Sequence, residues 1–412
     1  MKQAEGNPPS QRCNAAEPVP LSIRSVGIAG AGVMGCGIAA LNVERGIKVT
    51  IADNNPDALA RAVGRLRAIA ENRRSSLQSS GAETLPVDQL VRAATAASDL
   101  GQCDLVIEAI SEKLETKRQF LLELAPHLRD GTVVATNTSS IPLSRMADCL
   151  PKRGRFCGLH FCYPVELRRL VEVIRGATTS DESIAAAVSY AELLEKNPIV
   201  VNDRPGFVVN RLLVPYFNEA LELVLDGSPV EDVEKAACNF GMPRGPLHQL
   251  DDFGIDVALQ TGTVLYLAYP DRIVASRLLI AMYKSRLLGR KTGAGFFECS
   301  SSHQLGSEAK KLIEQHRRGR ESLSLDEMTR RLFVPMFLES TRILEEQVVA
   351  RCGDIDVALQ DGLGFRPRHG GLIGWAESTG ADTLREWLKP MEHLGHRFQP
   401  TRTLVEMAGR DG

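Results

Sequence analysis

Three short stretches of this 412-residue chain gather residue types that can move a proton. They are Asn137-Thr-Ser-Ser140, Gly158-Leu-His160-Phe-Cys-Tyr-Pro164 and Leu170-Val-Glu172-Val-Ile174. An imidazole titrates close to neutral pH, so His160 suits a general base that takes a hydroxyl proton as hydride departs. A carboxylate behind such a base fixes its tautomer and stabilises the imidazolium, and Glu172 fits that place. Taken singly, each residue also has a plainer reading. His160 beside Phe161 suits a satisfied core position, Ser139 a turn hydroxyl, and Glu172 a surface acid.

A second group concerns a nucleotide. Gly30-Ala-Gly32-Val33-Met34-Gly35 follows an apolar strand pattern and opens a helical one. In that setting the first glycine makes the tight turn and the second lets backbone approach a pyrophosphate. The third lets helix pack on strand, with the helix N-terminus facing the phosphates. Gly37 extends the close packing. Asp53 ends the next strand pattern, where a carboxylate accepts from the ribose 2′-hydroxyl and repels a 2′-phosphate. The expected cofactor is therefore NAD rather than NADP.

The elements that must position these groups are legible as patterns. Short apolar runs at Ser25–Ala29, Val49–Ala52, Asp104–Glu108, Thr132–Thr136 and Arg155–His160 alternate with helical stretches such as Met34–Glu44 and Pro56–Arg74. Strands separated by helices predict an α/β, mainly parallel, doubly wound Rossmann-like sheet. After Val201 the texture becomes helical only, and it repeats. Arg211-Leu-Leu-Val-Pro-Tyr-Phe-Asn-Glu219 matches Arg331-Leu-Phe-Val-Pro-Met-Phe-Leu-Glu339. Pro243-Arg-Gly-Pro246 then matches Pro367-Arg-His-Gly-Gly371, and Gly254-Ile-Asp256 matches Gly380-Ala-Asp382. Three matches in one order predict a duplication, hence two related all-α domains. The expected divisions are a flexible tail at 1–22, the nucleotide-binding domain at 23–203, helical copies at 204–299 and 323–412, and a polar linker at 300–322.

Bulk composition narrows the partners. A net charge of −2 gives no basic excess for nucleic acid or an anionic membrane, and no apolar run is long enough to span a bilayer. The polar, proline-bearing start lacks the apolar core of a signal peptide. Nine scattered cysteines form no C-x-x-C pair or metal-like cluster, which points to free thiols in a reducing compartment, the cytoplasm by default.

Together these pieces are recognisable. From Ser25 to Phe297 the chain resembles the 3-hydroxyacyl-CoA dehydrogenase family. The matching stretches are Gly30–Gly35, Val106-Ile-Glu-Ala-Ile-Ser-Glu112, Asn137-Thr-Ser-Ser140, the His160-Phe161 segment and Leu170-Val-Glu-Val-Ile174. Asp203-Arg-Pro-Gly-Phe-Val-Val-Asn-Arg211 and Gly289-Arg-Lys-Thr-Gly-Ala-Gly-Phe-Phe297 complete the set. With its duplicated helical part, the chain is similar to the dehydrogenase portion of fatty-oxidation-complex alpha subunits. The resemblance implies NAD-dependent oxidation of a (3S)-3-hydroxyacyl-CoA, with acyl-CoA as the partner molecule. It implies His160 as base, Glu172 as its orienting partner, and Ser139 and Asn210 as hydrogen-bonding groups for substrate oxygens. It also implies Glu112 and Lys117 toward the nicotinamide ribose, and Asn137 near the nicotinamide. Single-copy relatives pair their helical domains between chains, so an internal second copy favours a monomer.

Two positions depart from the family. His-Phe-Phe-Asn-Pro is its usual reading where this chain has His-Phe-Cys162-Tyr163-Pro, and Arg244 replaces its methionine before Gly-Pro. Both bear on substrate choice, and a short or carrier-bound 3-hydroxy compound is the alternative substrate. Arg65, Arg67, Arg73 and Arg74 lie where the family contacts CoA, and equally suit a solvated basic helix face.

Overall fold

Val- and Ile-rich runs form a sheet because β-branched side chains pack well on a pleated surface buried on both faces. The computed structural model describes residues 23–79, 85–298, 301–319, 322–366 and 370–408. The expected tail at 1–22 lies outside the described residues. Eight strands make one sheet: β1 (Ser25–Ala29), β2 (Lys48–Ala52), β3 (Val91–Ala94), β4 (Leu105–Glu108), β5 (Val133–Thr136), β6 (Phe156–Phe161), β7 (Leu170–Arg175) and β8 (Asn197–Asn202). Their order is β3-β2-β1-β4-β5-β6-β7-β8, parallel throughout except between β6 and β7. β4, β5 and β6 are buried along their whole length.

The strand order reverses at β1, which pairs with both β2 and β4. Ligands of such sheets bind outside the carboxyl ends of the strands at this switch point. β3 and β8 escaped the sequence reading. β3 is a four-residue run interrupted by Arg92, and β8 carries Pro198, which weakens a strand signal.

Helices dominate the rest of the chain. The Val209–Asp226 helix is buried along every residue from Val209 to Leu225. A helix covered on all sides belongs in the middle of a domain. Its repeat counterpart, Leu325–Glu345, packs against it, and each carries a proline at the same repeat position, Pro215 and Pro335. Arg211 Nε donates to Glu339 at 2.7 Å, and Arg331 Nε donates to Glu219 at 2.9 Å. These are the same two repeat positions exchanged, the signature of an isologous contact within one chain. The duplication read from sequence is therefore also a packing symmetry.

Within 300–322, expected to be a linker, the described residues include a strand and a helix. β9 (Phe297–Glu298) and β10 (Ser301–Leu305) form a small antiparallel ribbon, and Ser307–His316 is a helix. Ala309 and Ile313, four residues apart, bury the inner face of that helix. Two apolar positions among so many charges were too faint a period to read. The expectation of helices alone after Val201 fails for the same ribbon. The second helical copy also touches the sheet: Asn202 N donates to Val348 O at 2.8 Å, and Asn197 Nδ2 to Asp361 at 2.5 Å. The first of these bonds pairs a backbone amide at the end of the β8 edge.

Removing one partner from a buried ion pair leaves the other charge uncompensated. Arg211→Met should lower stability by about 3 kcal/mol, read as a fall in the urea unfolding midpoint.

Candidate active site

The nucleotide loop begins where β1 ends. Gly30 has φ +105, and a Cβ there would lie 2.5 Å from the Ala109 carbonyl oxygen. A Cβ on Gly35 would come within 1.9 Å of the Gly30 oxygen, so helix and turn can touch only without side chains. At Gly32 a Cβ meets nothing within 4 Å, and Val33 is 70% exposed. Gly32 supplies no side-chain cap to the Val33–Glu44 helix. The open first turn, which includes the half-buried Met34, leaves its N–H groups for an anion. Asp53 follows β2, and its carboxylate accepts from Ala31 N at 2.6 Å and Asn55 N at 2.7 Å. Each carboxylate oxygen keeps a further lone pair for a ribose hydroxyl. The residues present thus fit NAD. Gly37 packs on Val165, whose Cβ lies 3.0 Å from where a Gly37 Cβ would sit.

The His160–Glu172 pair is set by strand register. His160 on β6 faces Glu172 on antiparallel β7, and Nδ1 lies 2.6 Å from Oε2. Glu172 is fully buried, and its other oxygen accepts from Val208 N at 2.8 Å and Val209 N at 3.2 Å. Those donors belong to the N-terminus of the Val209–Asp226 helix. A carboxylate can only accept there, so Nδ1 carries the hydrogen and Nε2 keeps the lone pair. Gly206 at φ +75 and Phe207 at φ +48 turn the chain to aim these amides, and the Phe207 ring lies 5.9 Å from the imidazole.

A second acidic centre fixes the neighbouring turn. Lys117 is 1% exposed and donates to both oxygens of Glu108, at 2.7 and 2.9 Å. It also pairs with Glu112 at 3.1 Å. Glu112 accepts from Thr138 Oγ1 at 2.5 Å, Ser139 N at 2.8 Å and Ser139 Oγ at 3.2 Å. Burial alone would raise the Glu112 carboxyl, but the Lys117 ammonium and these hydrogen bonds outweigh it and hold it below its usual range. Asn210 Nδ2 donates to Ser139 O at 2.8 Å, and Phe161 N donates to Asn137 Oδ1 at 2.9 Å.

These hydrogen bonds and the short backbone links between them together close a ring. It runs from His160 to Glu172, through Val209 to Asn210, on to Ser139 and Asn137, and back through Phe161. The sequence expectations for His160, Glu172, Ser139, Asn210 and Asn137 converge in this one ring. Lys117, expected toward the nicotinamide ribose, is buried. It is locked between two carboxylates, because an ammonium buried beside them is better paired than solvated. Glu112 keeps about a fifth of its side chain exposed (21%). Glu108, Thr136 and Thr138 were missed, although Glu108 at the carboxyl end of β4 was the available signal. Thr136 Oγ1 donates to Glu108 at 2.6 Å.

The departures are placed differently. Tyr163 is 49% exposed, while Cys162 is buried and its thiol is pushed up by burial and then by the Glu172 charge. Arg244 pairs with Asp252 at 2.6 Å, a carboxylate it shares with Arg290, and Arg65 pairs with Glu166 at 2.9 Å. Among the described residues, no helix is long and apolar enough to cross a membrane.

Comparison with known proteins identifies relatives of the chain. The family model "3-hydroxyacyl-CoA dehydrogenase, NAD binding domain" matches residues 25–204. The model "3-hydroxyacyl-CoA dehydrogenase, C-terminal domain" matches 206–299 and 328–410, the two helical copies. A fatty acid oxidation complex subunit alpha from Pseudomonas savastanoi pv. phaseolicola is 31% identical, with 97% of this chain and 57% of the relative covered. The chain thus spans little more than half of that relative. An (S)-3-hydroxybutyryl-CoA dehydrogenase from Ralstonia eutropha is 35% identical at TM-score 0.58, covering 66% of this chain and 98% of that one. A 3-hydroxybutyryl-CoA dehydrogenase from Escherichia coli K12 shares the fold at TM-score 0.80 and 22% identity, covering 95% and 99%.

Two outcomes test the site. Glu172→Gln places an amide that cannot accept from both His160 and the helix amides, so turnover should fall roughly 10²- to 10⁴-fold, with a lower melting temperature. Asp53→Ala should narrow the preference for NAD over NADP by about tenfold, measured as the ratio of kcat/KM values.

Proposed function

The chain belongs to the 3-hydroxyacyl-CoA dehydrogenase family, and we propose that it oxidises (3S)-3-hydroxyacyl-CoA to 3-oxoacyl-CoA in fatty acid β-oxidation. The observation that carries this reading is the hydrogen-bonded ring around His160. NAD, held by the Gly30–Gly35 loop and Asp53, would supply the hydride acceptor. His160 Nε2 takes the proton of the C3 hydroxyl, and Glu172 stabilises the imidazolium that results. Because Glu172 is itself bound by two helix N-terminal amides, its carboxylate is held in place behind the imidazole ring. Asn210 and Ser139 hold each other beside the base and offer polar groups to the substrate oxygens.

Exposed Tyr163 beside the His160 strand favours one second reading, in which the 3-hydroxy group sits on a short acid or another carrier. The packing of the two helical copies supports a monomer, and the described cysteines, all free thiols, support a cytoplasmic site of action.

Acetoacetyl-CoA reduction with NADH should be readily measured by loss of nicotinamide absorbance, and His160→Gln should slow it by about a thousandfold. An unchanged rate in that variant removes His160 from the chemistry. Activity on free 3-hydroxybutyrate with none on acetoacetyl-CoA would favour the second reading. Sedimentation should give a mass near 44.9 kDa; twice that value excludes the monomer.

A further inference from the structure

The connection from β6 to β7, residues 162–169, carries a cation that nothing in the fold neutralises. Arg168 is half-buried. Among the described residues its guanidinium has no hydrogen-bond or ion-pair partner. Its Nε is buried, while the two terminal nitrogens keep solvent access. The rest of the connection is well tied: Glu166 holds Arg65, and Lys196 donates to the carbonyls of Val165 and Arg168 at 2.6 and 2.7 Å. A guanidinium drawn partly out of water without an anion is unfavourable, so its presence calls for a reason.

Two glycines of the second helical copy tie this cation to the His160 site. A Cβ on Gly362 would lie 2.8 Å from Leu170 Cδ2, 3.3 Å from Val209 Cγ2 and 3.6 Å from Cys162 Sγ. Those three residues flank the His160–Glu172 pair. Cys162 lies just beyond His160, Leu170 just before Glu172, and Val209 N donates to Glu172. Gly364, at φ +75, leaves room for Arg168: a Cβ there would lie 2.7 Å from Nη1 and 3.4 Å from Pro243 Cγ. Gly362 and Gly364 can stand no more than about 7 Å apart, the reach of two peptide steps. The Cys162 thiol lies within range of both charges. Burial affects it most, then the Glu172 carboxylate raises it further and the Arg168 guanidinium lowers it.

The turns that meet at Gly364 are basic. Arg366 is exposed, and its backbone N–H donates to Gly241 O at 2.9 Å, which sets it beside the Pro243 turn. Arg244 follows Pro243 and shares the Asp252 carboxylate with Arg290. One carboxylate against two guanidiniums leaves positive charge over. Asp361, the acid nearest in sequence to Gly364, is engaged by Asn197.

We propose that Arg168 receives a carboxylate at the distal end of the acyl chain, so that the protein prefers ω-carboxylated 3-hydroxyacyl-CoA thioesters. The proposal rests on the 3-hydroxyacyl-CoA reading given above. A planar fork of donors matches a carboxylate bidentately. Arg168 precedes Glu172 by four residues, which at the rise of an extended strand is at most about 13 Å. A medium-length acyl chain covers that span. The phosphates of CoA are the other anions of such a substrate, but the whole pantetheine arm sets them further from the reacting carbon.

The test sets plain against ω-carboxylated 3-hydroxyacyl-CoA thioesters from hexanoyl to dodecanoyl length, on the unaltered protein and on Arg168→Met. The readout is the ratio of the two kcat/KM values within each protein, which a general folding defect leaves in place. At the best length the unaltered protein should favour the ω-carboxylated thioester about tenfold, the scale of one hydrogen bond to a charged group. Arg168→Met should remove that preference, and Arg168→Lys should keep part of it. An equal ratio in the unaltered protein and Arg168→Met overturns the proposal, as does a preference of the unaltered protein for the plain series. A loss in Arg168→Met that falls equally on both CoA series and vanishes with pantetheine thioesters also overturns it, and assigns Arg168 to the CoA phosphates. Turnover of 3-hydroxybutyryl-CoA with none of either longer series overturns the proposal alone. If 3-hydroxybutyryl-CoA and both series are all inert, the 3-hydroxyacyl-CoA reading itself falls, and the proposal with it.

Discussion

One buried carboxylate holds the site to the fold. Glu172 lies in the sheet with no solvent contact, and a lone charge there would be strongly unfavourable. Its charge is met from two directions: by the His160 imidazole on the neighbouring strand and by two amides at the start of the Val209–Asp226 helix. The sheet domain and the first helical domain are therefore joined at the carboxylate that orients the His160 imidazole. Any shift of that helix relative to β7 would move Glu172, and with it the imidazole. Gly206 and Phe207, both left-handed, set the turn that makes the approach possible.

The duplication extends the same constraint outward. The Val209–Asp226 helix is clamped along its length by the second copy through the exchanged pairs Arg211–Glu339 and Arg331–Glu219. Charged pairs at such depth add little net stability compared with apolar packing, but they penalise every other register of the two helices. The second copy also bonds to β8 and approaches β7. A Cβ on Gly362 would lie 2.8 Å from Leu170 Cδ2, at the start of the strand that bears Glu172. The helix whose first amides meet this carboxylate is thus held at its start by Glu172 and along its flank by its own duplicate.

The two copies differ along the paired helices. Asn210 lies just before the repeat motif and bonds to the Ser139 carbonyl, and Asn218 inside the motif stands where the second copy has Leu338. Positions that carry the clamp are kept in both copies.

Much of this was legible in the residues themselves. Alternating apolar runs determined the parallel sheet, because strands buried on both faces must be apolar throughout. Gly30, Gly32 and Gly35 determined the phosphate loop, because a Cβ at the first and third would collide with backbone. The repeat determined the pair of helical domains. What the tertiary structure decided is which polar groups meet. Glu172 stands opposite His160 because β7 runs antiparallel to β6, and a one-residue slip would point it to the other face. Lys117 turns inward because Glu108, nine residues earlier on a different element, is buried beside it. The helix within 300–322 forms because Ala309 and Ile313 find a core to cover. Spacing along a chain fixes local conformation and solvent preference. The partner of a buried charge depends on strand direction and packing, and those are settled only when distant segments close on each other.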